Sequence, residues 1–243
     1  MSDPATAPVD KSAIRDAASI IVLRDRMTSP RVLMGQRGAS AAFMPKKYVF
    51  PGGALDSGDA DVPATRSITE GCRIRLAEES GVSPHALCMA AIRELWEETG
   101  QILGQPGEWS DTPPPDWLAF SKAGFVPDAR ALQFVFRAIT PPGRPRRFDA
   151  RFFLVDADAL ATDPDDFSAA SDELSHLHWV PLAESRQIDL PFITEVILAE
   201  ISARSQQTAP PESVPFFRND DEESLFLRLY GVSSSAQQHQ QQD

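Results

Sequence analysis

The chain has 243 residues, 42% of them hydrophobic, and a formal net charge of −12 with histidines neutral; at roughly 150 residues per domain it holds one elaborated domain or two small ones. So acidic a surface argues against general nucleic-acid binding and against docking on anionic membranes, which are themselves negatively charged. Two cysteines, Cys72 and Cys88, no signal-peptide core in the opening MSDPATAPVDKSAIRDA and no run of 18 apolar residues lead us to expect a soluble cytoplasmic protein with no disulfide framework, no membrane partner and no nucleic-acid partner.

In chain order, residues 1–12 are rich in Ala, Pro and Asp without periodicity and are expected to be a disordered tail. Segments 18–24 (ASIIVLR) and 31–36 (RVLMGQ) are β-rich runs around a polar turn, which predicts a hairpin. A short strand is expected at Tyr48–Phe50, ended by Pro51 and a glycine pair. Residues 66–79 form a helical candidate. Ser83 followed by Pro84 then marks a helix start, and PHALCMAAIRELWEETG reads as one helix stopped by Gly100, with Leu87, Ala91 and Leu95 on its buried side. Strands are expected at 132–139, 151–155 and 177–181, and a helix at 191–204 with Ile193, Val196, Ile197 and Ile201 inward. The end, SSSAQQHQQQD, is a polar low-complexity tail. These readings give a domain over 13–207 and a C-terminal extension over 208–243. The mixed order of strands and helices indicates an α+β class, or a three-layer α/β/α arrangement around a mixed sheet.

Within the helix before Gly100, Glu94, Glu97 and Glu98 fall at i, i+3 and i+4, within about a 100° arc of one face. Three carboxylates so placed repel one another. A solvated acidic face is the plain explanation; hard divalent cations, which favour oxygen ligands, are the functional one.

The surrounding residues favour the second. FPGG (Phe50–Gly53) is followed by ALDSG and Asp59, and later by RELWEETG (Arg93–Gly100). Together these resemble the Nudix box: a glycine, five residues, an acid, seven residues, then Arg-Glu-apolar-any-Glu-Glu-any-Gly-apolar. The chain departs from it at three places. Asp59 stands where the family usually has Glu, Gln101 replaces the apolar residue after the glycine, and 33 residues rather than seven separate Asp59 from Arg93. A long insert here, over about 60–84, resembles the branch that includes peroxisomal coenzyme A diphosphatases.

The resemblance implies a Nudix-type α/β/α sandwich with a helical insert and a metal-dependent diphosphatase using Mg²⁺ or Mn²⁺. It also implies roles for residues. Glu97 and Glu98 would be principal metal ligands, the Gly53 carbonyl a further ligand, and Glu94 a ligand or acceptor of the water's proton. Arg93 would hold the carboxylates, with Asp59 a candidate orienting or ligating acid. Asp172 and Glu173 are candidates for a carboxylate from outside the box.

Arg144, Arg146, Arg147 and Arg151 are four arginines within eight residues of an otherwise acidic chain. Bidentate guanidinium contacts suit phosphates, so Arg144, Arg146 and Arg147 are candidate substrate ligands, with a solubilising turn as the alternative. Arg37 is a further candidate. Phe43 and Tyr48 are read as base-stacking or core residues, and Trp96 as core or interface. His176 and His178 lack companions for a zinc site, and Asp156–Asp166 lacks the glycine and terminal glutamate of an EF-hand loop.

Coenzyme A or acyl-CoA is the first substrate expected. Against it, Ala42 and Lys46 depart from a coenzyme A signature that Leu33, Met34 and Arg37 fit. The alternatives are an ADP-ribose- or NADH-type pyrophosphatase and a nucleotide-binding module without catalysis. A homodimer built on the insert is also expected.

Overall fold

The structure is a computed structural model describing residues 13–38, 44–219 and 223–231. The expected tails, Ala42, Phe43 and His239 lie outside the described residues.

Strand β1 (Ile14–Arg24) turns at Asp25–Pro30 into β2 (Arg31–Arg37), with Leu23 opposite Val32, so the expected hairpin forms. In place of one strand at 48–50 there are two short ones, β3 (Tyr48–Val49) and β4 (Gly52–Ala54), divided at Pro51, which has no N–H for a ladder. A 3₁₀ turn at Ser57–Asp61 leads to helices α1 (Glu70–Ala77) and α2 (Pro84–Thr99). Strands β5 (Gly104–Pro106) and β6 (Phe125–Pro127) form a separate ribbon flanking helix α3 (Leu118–Lys122). Then come β7 (Gln133–Ile139), β8 (Arg147–Asp156), β9 (Leu174–Pro181), α4 (Phe192–Ala203), β10 (Val214–Asn219) and β11 (Ser224–Leu229).

The main sheet runs β11-β10-β7-β8-β1-β2-β3, with β9 also on β2 and β4 also on β1. It is mixed: β1 with β8 and β7 with β10 are parallel, and the other pairs are antiparallel. The run SIIVL in β1 is apolar without alternation because both faces are covered. Ile20 and Val22 face a core with α1 and α2, while Ile21 and Leu23 face a second core with α4. The α+β class and the three-layer sandwich are therefore both present. In α4, Ile197 and Ile201 are buried as expected, joined by Leu198, whereas Ile193 and Val196 are half-buried.

The inserted segment belongs to the core. Ile68, Cys72 and Leu76 pack into the cluster beneath α2. The sheet also continues past residue 207: β10 pairs with β7, β11 closes the edge, and the Gly231 N–H donates to Glu78 at 2.6 Å. Insert and C-terminal strands thus brace each other. Among the described residues no helix is long and apolar enough to cross a membrane.

Candidate active site

Helix α2 begins where Ser83 leaves helical geometry before Pro84, and ends where Gly100 takes a left-handed conformation (φ 73°) and donates its N–H to the Trp96 carbonyl at 2.8 Å. Between these ends it is buried nearly all round, by the sheet on one side and by Trp117, Phe120 and Leu132 on the other. Charged groups on such a helix lose solvation, so each needs a partner.

Arg93 supplies most of them. Its guanidinium grips both oxygens of Asp59, at 3.0 and 3.1 Å, and donates to Glu94 (2.9 Å), Glu97 (3.0 Å) and the Ala54 carbonyl (3.0 Å). Asp59, 1% exposed, is fixed in turn by the Asp56 N–H at 2.9 Å. The front acid of the motif and its arginine therefore meet across 33 intervening residues, and Asp59 holds the arginine despite its shorter reach.

The glycine pair sets the other wall. Strand β4 runs beside the start of β1, Gly53 opposite Ala18, so Gly53 lies directly under α2. A Cβ at Gly53 would overlap the Glu94 carboxylate, so only glycine permits this approach. The Gly52 N–H donates to Glu98 at 2.8 Å. Glu94 and Glu98, one helical turn apart, thus both rest on the glycine turn.

Charge in this cluster is unbalanced. Arg93 bonds Asp59, Glu94 and Glu97, whereas Glu98 makes no ion pair among the described residues. Burial pushes the Glu98 carboxyl up to about 8, and Glu94 adds to the rise against the Gly52 N–H. Burial likewise pushes Glu94 up to about 7 despite Arg93, and raises Glu97. Burial opposes the charge on Arg93, but the Asp59 hydrogen bond and the nearby carboxylates outweigh it and hold the guanidinium above its ordinary value. Among the described residues no three acidic, His or Cys side chains already form a metal cage, because Glu94 and Glu97 lean on Arg93. The donor set is nevertheless all oxygen and short of positive charge, which fits a hard divalent cation.

No family model matches the chain. It is 32% identical over 181 residues to a putative nudix hydrolase 7 of Caenorhabditis elegans, covering 70% of this chain and 52% of that protein. It is 26% identical over 230 residues to the acyl-coenzyme A diphosphatase NUDT19 of Gallus gallus, covering 68% of this chain and 60% of that one. It thus spans between half and two thirds of these relatives' lengths. A crystal structure of a NUDIX hydrolase from Alicyclobacillus acidocaldarius superposes with a TM-score of 0.62 at 28% identity, covering 81% of this chain and 94% of that one. In both sequence and fold the chain is similar to Nudix hydrolases.

The remaining expected residues fall at varied distances from this Nudix helix. Arg37 ends β2, and its positive charge opposes in small part the rise that burial imposes on the Glu98 carboxyl. Asp172 and Glu173 are both exposed just before β9; the charge of Glu173 adds a little to the rise that burial imposes on Glu94, Glu97 and Glu98. The arginine group divides. Arg144 and Arg146 are exposed in the β7–β8 turn. Arg147 is buried and donates to the Thr140 and Asn219 carbonyls, so the expectation of a phosphate ligand gives way to a structural anchor between the turn and β10. Arg151 is 1% exposed and pairs with Asp16 and Asp149 inside the sheet. Tyr48 stacks edge-on against His178, at 5.3 Å between rings, and Trp96 against Phe120.

Two residues escaped the sequence reading. Asp116, just before α3, adds its negative charge to the rise that burial imposes on the Glu97 carboxyl, and nothing in its proline-rich surroundings signals that influence. Gln101 is fully buried and hydrogen-bonds the 162–166 loop. Its polar character at a customarily apolar position was the available signal.

Proposed function

We propose that the protein hydrolyses the diphosphate bond of a nucleoside diphosphate derivative, with coenzyme A or acyl-CoA as the preferred class. The observation that carries the reaction is the placement of Glu94 and Glu98 on the Gly52–Gly53 turn with less positive charge than their burial requires. Glu97, Glu98, Glu94 and the Gly53 carbonyl would hold Mg²⁺ or Mn²⁺. Such an ion, when bound, neutralises diphosphate oxygens and acidifies water.

The chain's own groups do the rest. Asp59 locks Arg93, and Arg93 keeps Glu94 and Glu97 from turning away into solvent. Glu94 would either complete the cation's ligands or accept the water's proton; without a cation, burial holds its carboxyl up at about 7 against the pull of Arg93. Arg37, whose positive charge bears on Glu98, would meet a substrate phosphate. The long insert and the likeness to an acyl-coenzyme A diphosphatase support the substrate class; the branch containing the coenzyme A diphosphatases is the one we favour.

The test is a panel of CoA, acetyl-CoA, a long-chain acyl-CoA, ADP-ribose and NADH with purified protein and Mg²⁺, products being read by mass. Phosphopantetheine species from CoA or acyl-CoA are expected. AMP from ADP-ribose with CoA untouched would overturn the substrate class, and no cleavage of any compound would overturn the activity.

A further inference from the structure

A strap of chain crosses the exit of α2. At its start, the Ala161 N–H donates to the Ile102 carbonyl at 2.8 Å, and Thr162 Oγ1 accepts the Ile102 N–H at 3.2 Å. In its middle, Gln101 Nε2 donates to the carbonyls of Asp163 (3.1 Å) and Asp166 (2.8 Å), while its Oε1 accepts Thr162 Oγ1–H at 2.6 Å. At its end, Ala169 packs so tightly on Gly100 that a Cβ there would stand 2.9 Å away, and the Ser171 N–H donates to the Glu97 carbonyl at 3.0 Å. Three residues on, Leu174 enters β9 in register with Arg37. Glu173 is therefore held between two fixed points: Ser171 on the backbone of one candidate metal-ligand residue, and Leu174 paired with the end of β2 at Arg37.

We propose that Gln101 is a positioning residue for the cation site: it latches the strap to α2 and so keeps the Glu173 carboxylate beside Glu94, Glu97 and Glu98. This rests on the cation-binding reading of that cluster. Gln101 touches none of the reacting groups; its side chain is spent wholly on the strap. It acts because a fourth negative charge near the cluster strengthens cation binding in proportion to its proximity. The polar residue at this motif position is thereby explained: an apolar side chain would take the Gln101 donor from the Asp166 carbonyl and leave the Asp163 carbonyl only the Asp166 N–H.

The experiment titrates Mn²⁺ into the full chain by calorimetry and follows hydrogen exchange over 161–173, comparing the parent with Gln101→Met, Glu173→Gln and the double variant. Thr162→Val, which removes one strand of the latch, serves as a milder second variant should Gln101→Met fold poorly. Gln101→Met is expected to speed exchange in the strap and weaken Mn²⁺ binding about threefold to tenfold, Thr162→Val by less, and the double variant no more than Glu173→Gln alone. If CoA is cleaved, kcat should fall with the cation affinity while KM stays near the parent value. Unchanged affinity in Gln101→Met and Glu173→Gln, or losses that multiply in the double variant, would overturn the proposal. Neither the titration nor the exchange needs turnover, so a parent inactive on every diphosphate would defeat the activity reading and leave this one to be judged by its own result.

Discussion

Two clusters of buried charge sit on the same side of the main sheet, and they are balanced differently. In the strands, Arg137 grips both oxygens of Asp149 at 2.9 and 2.7 Å, and Arg151 stands 3.2 Å from Asp149 and pairs with Asp16. The spare donors go to the Glu78 and Glu79 carbonyls and to Ser80, tying the end of α1 to the sheet. Two arginines answer two aspartates. On α2, one arginine answers Asp59, Glu94 and Glu97, and Glu98 lies outside its reach. Charge buried for architecture is neutralised within the fold, whereas the α2 site holds an excess that an external cation can relieve.

That contrast can be broken by substitution. Asp149→Ala strands two buried guanidinium groups and should cost about 3–5 kcal/mol in urea unfolding, with kcat per folded molecule within about twofold of the parent. Glu98→Gln should do the reverse. Its amide oxygen still accepts the Gly52 N–H and a repulsive charge is gone, so stability should hold, while diphosphate turnover drops about 10²–10³-fold. A large loss of stability in Glu98→Gln would erase the distinction between the clusters.

The pH dependence sharpens it. The Glu98 and Glu94 carboxyls, raised to about 8 and about 7, bind protons in the folded state that the unfolded chain has already released. Their contribution to stability is thus fully present below the ordinary carboxylate pKa and is lost as pH rises through the folded values. Without metal, the melting temperature should fall between about pH 5 and pH 8. Mg²⁺ competes with those protons, so its stabilisation should be greater near pH 8 than near pH 6. Equal Mg²⁺ shifts at both values would contradict the cation reading.

The smallest effect is expected at Arg144. The residue that closes its turn, Arg147, is in register with Ile14, four residues along β1 from the Ala18 that faces Gly53, or about 13 Å of strand. Arg144→Ala should change KM for CoA less than about threefold. A tenfold rise would show that the turn reaches the substrate.

Much of the site was legible because local chemistry dictates it. Ser83-Pro84 and Gly100 bound α2, and the i, i+3, i+4 spacing alone puts the three glutamates on one side. The contact of the Glu94 carboxylate with the glycine pair came from the structure. The arginine group was less legible: a cluster by sequence divides when strand β8 starts at Arg147, which turns Arg147 and Arg151 into the fold and leaves Arg144 and Arg146 outside. The C-terminal strands were missed for a related reason. Val214, Phe216, Leu227 and Leu229 have apolar character, but their partners are β7 and α1, far away in sequence.

The sequence by itself determined helix α2, its caps and its acidic face, since each depends on residues within a turn or two of one another. Only the tertiary structure decided that Asp59 closes on Arg93 across the insert, that the insert and the final strands share one core, and that Gln101 carries the strap leading to Glu173. Those contacts join segments tens of residues apart, and their geometry follows from how both faces of the sheet are covered rather than from any local pattern.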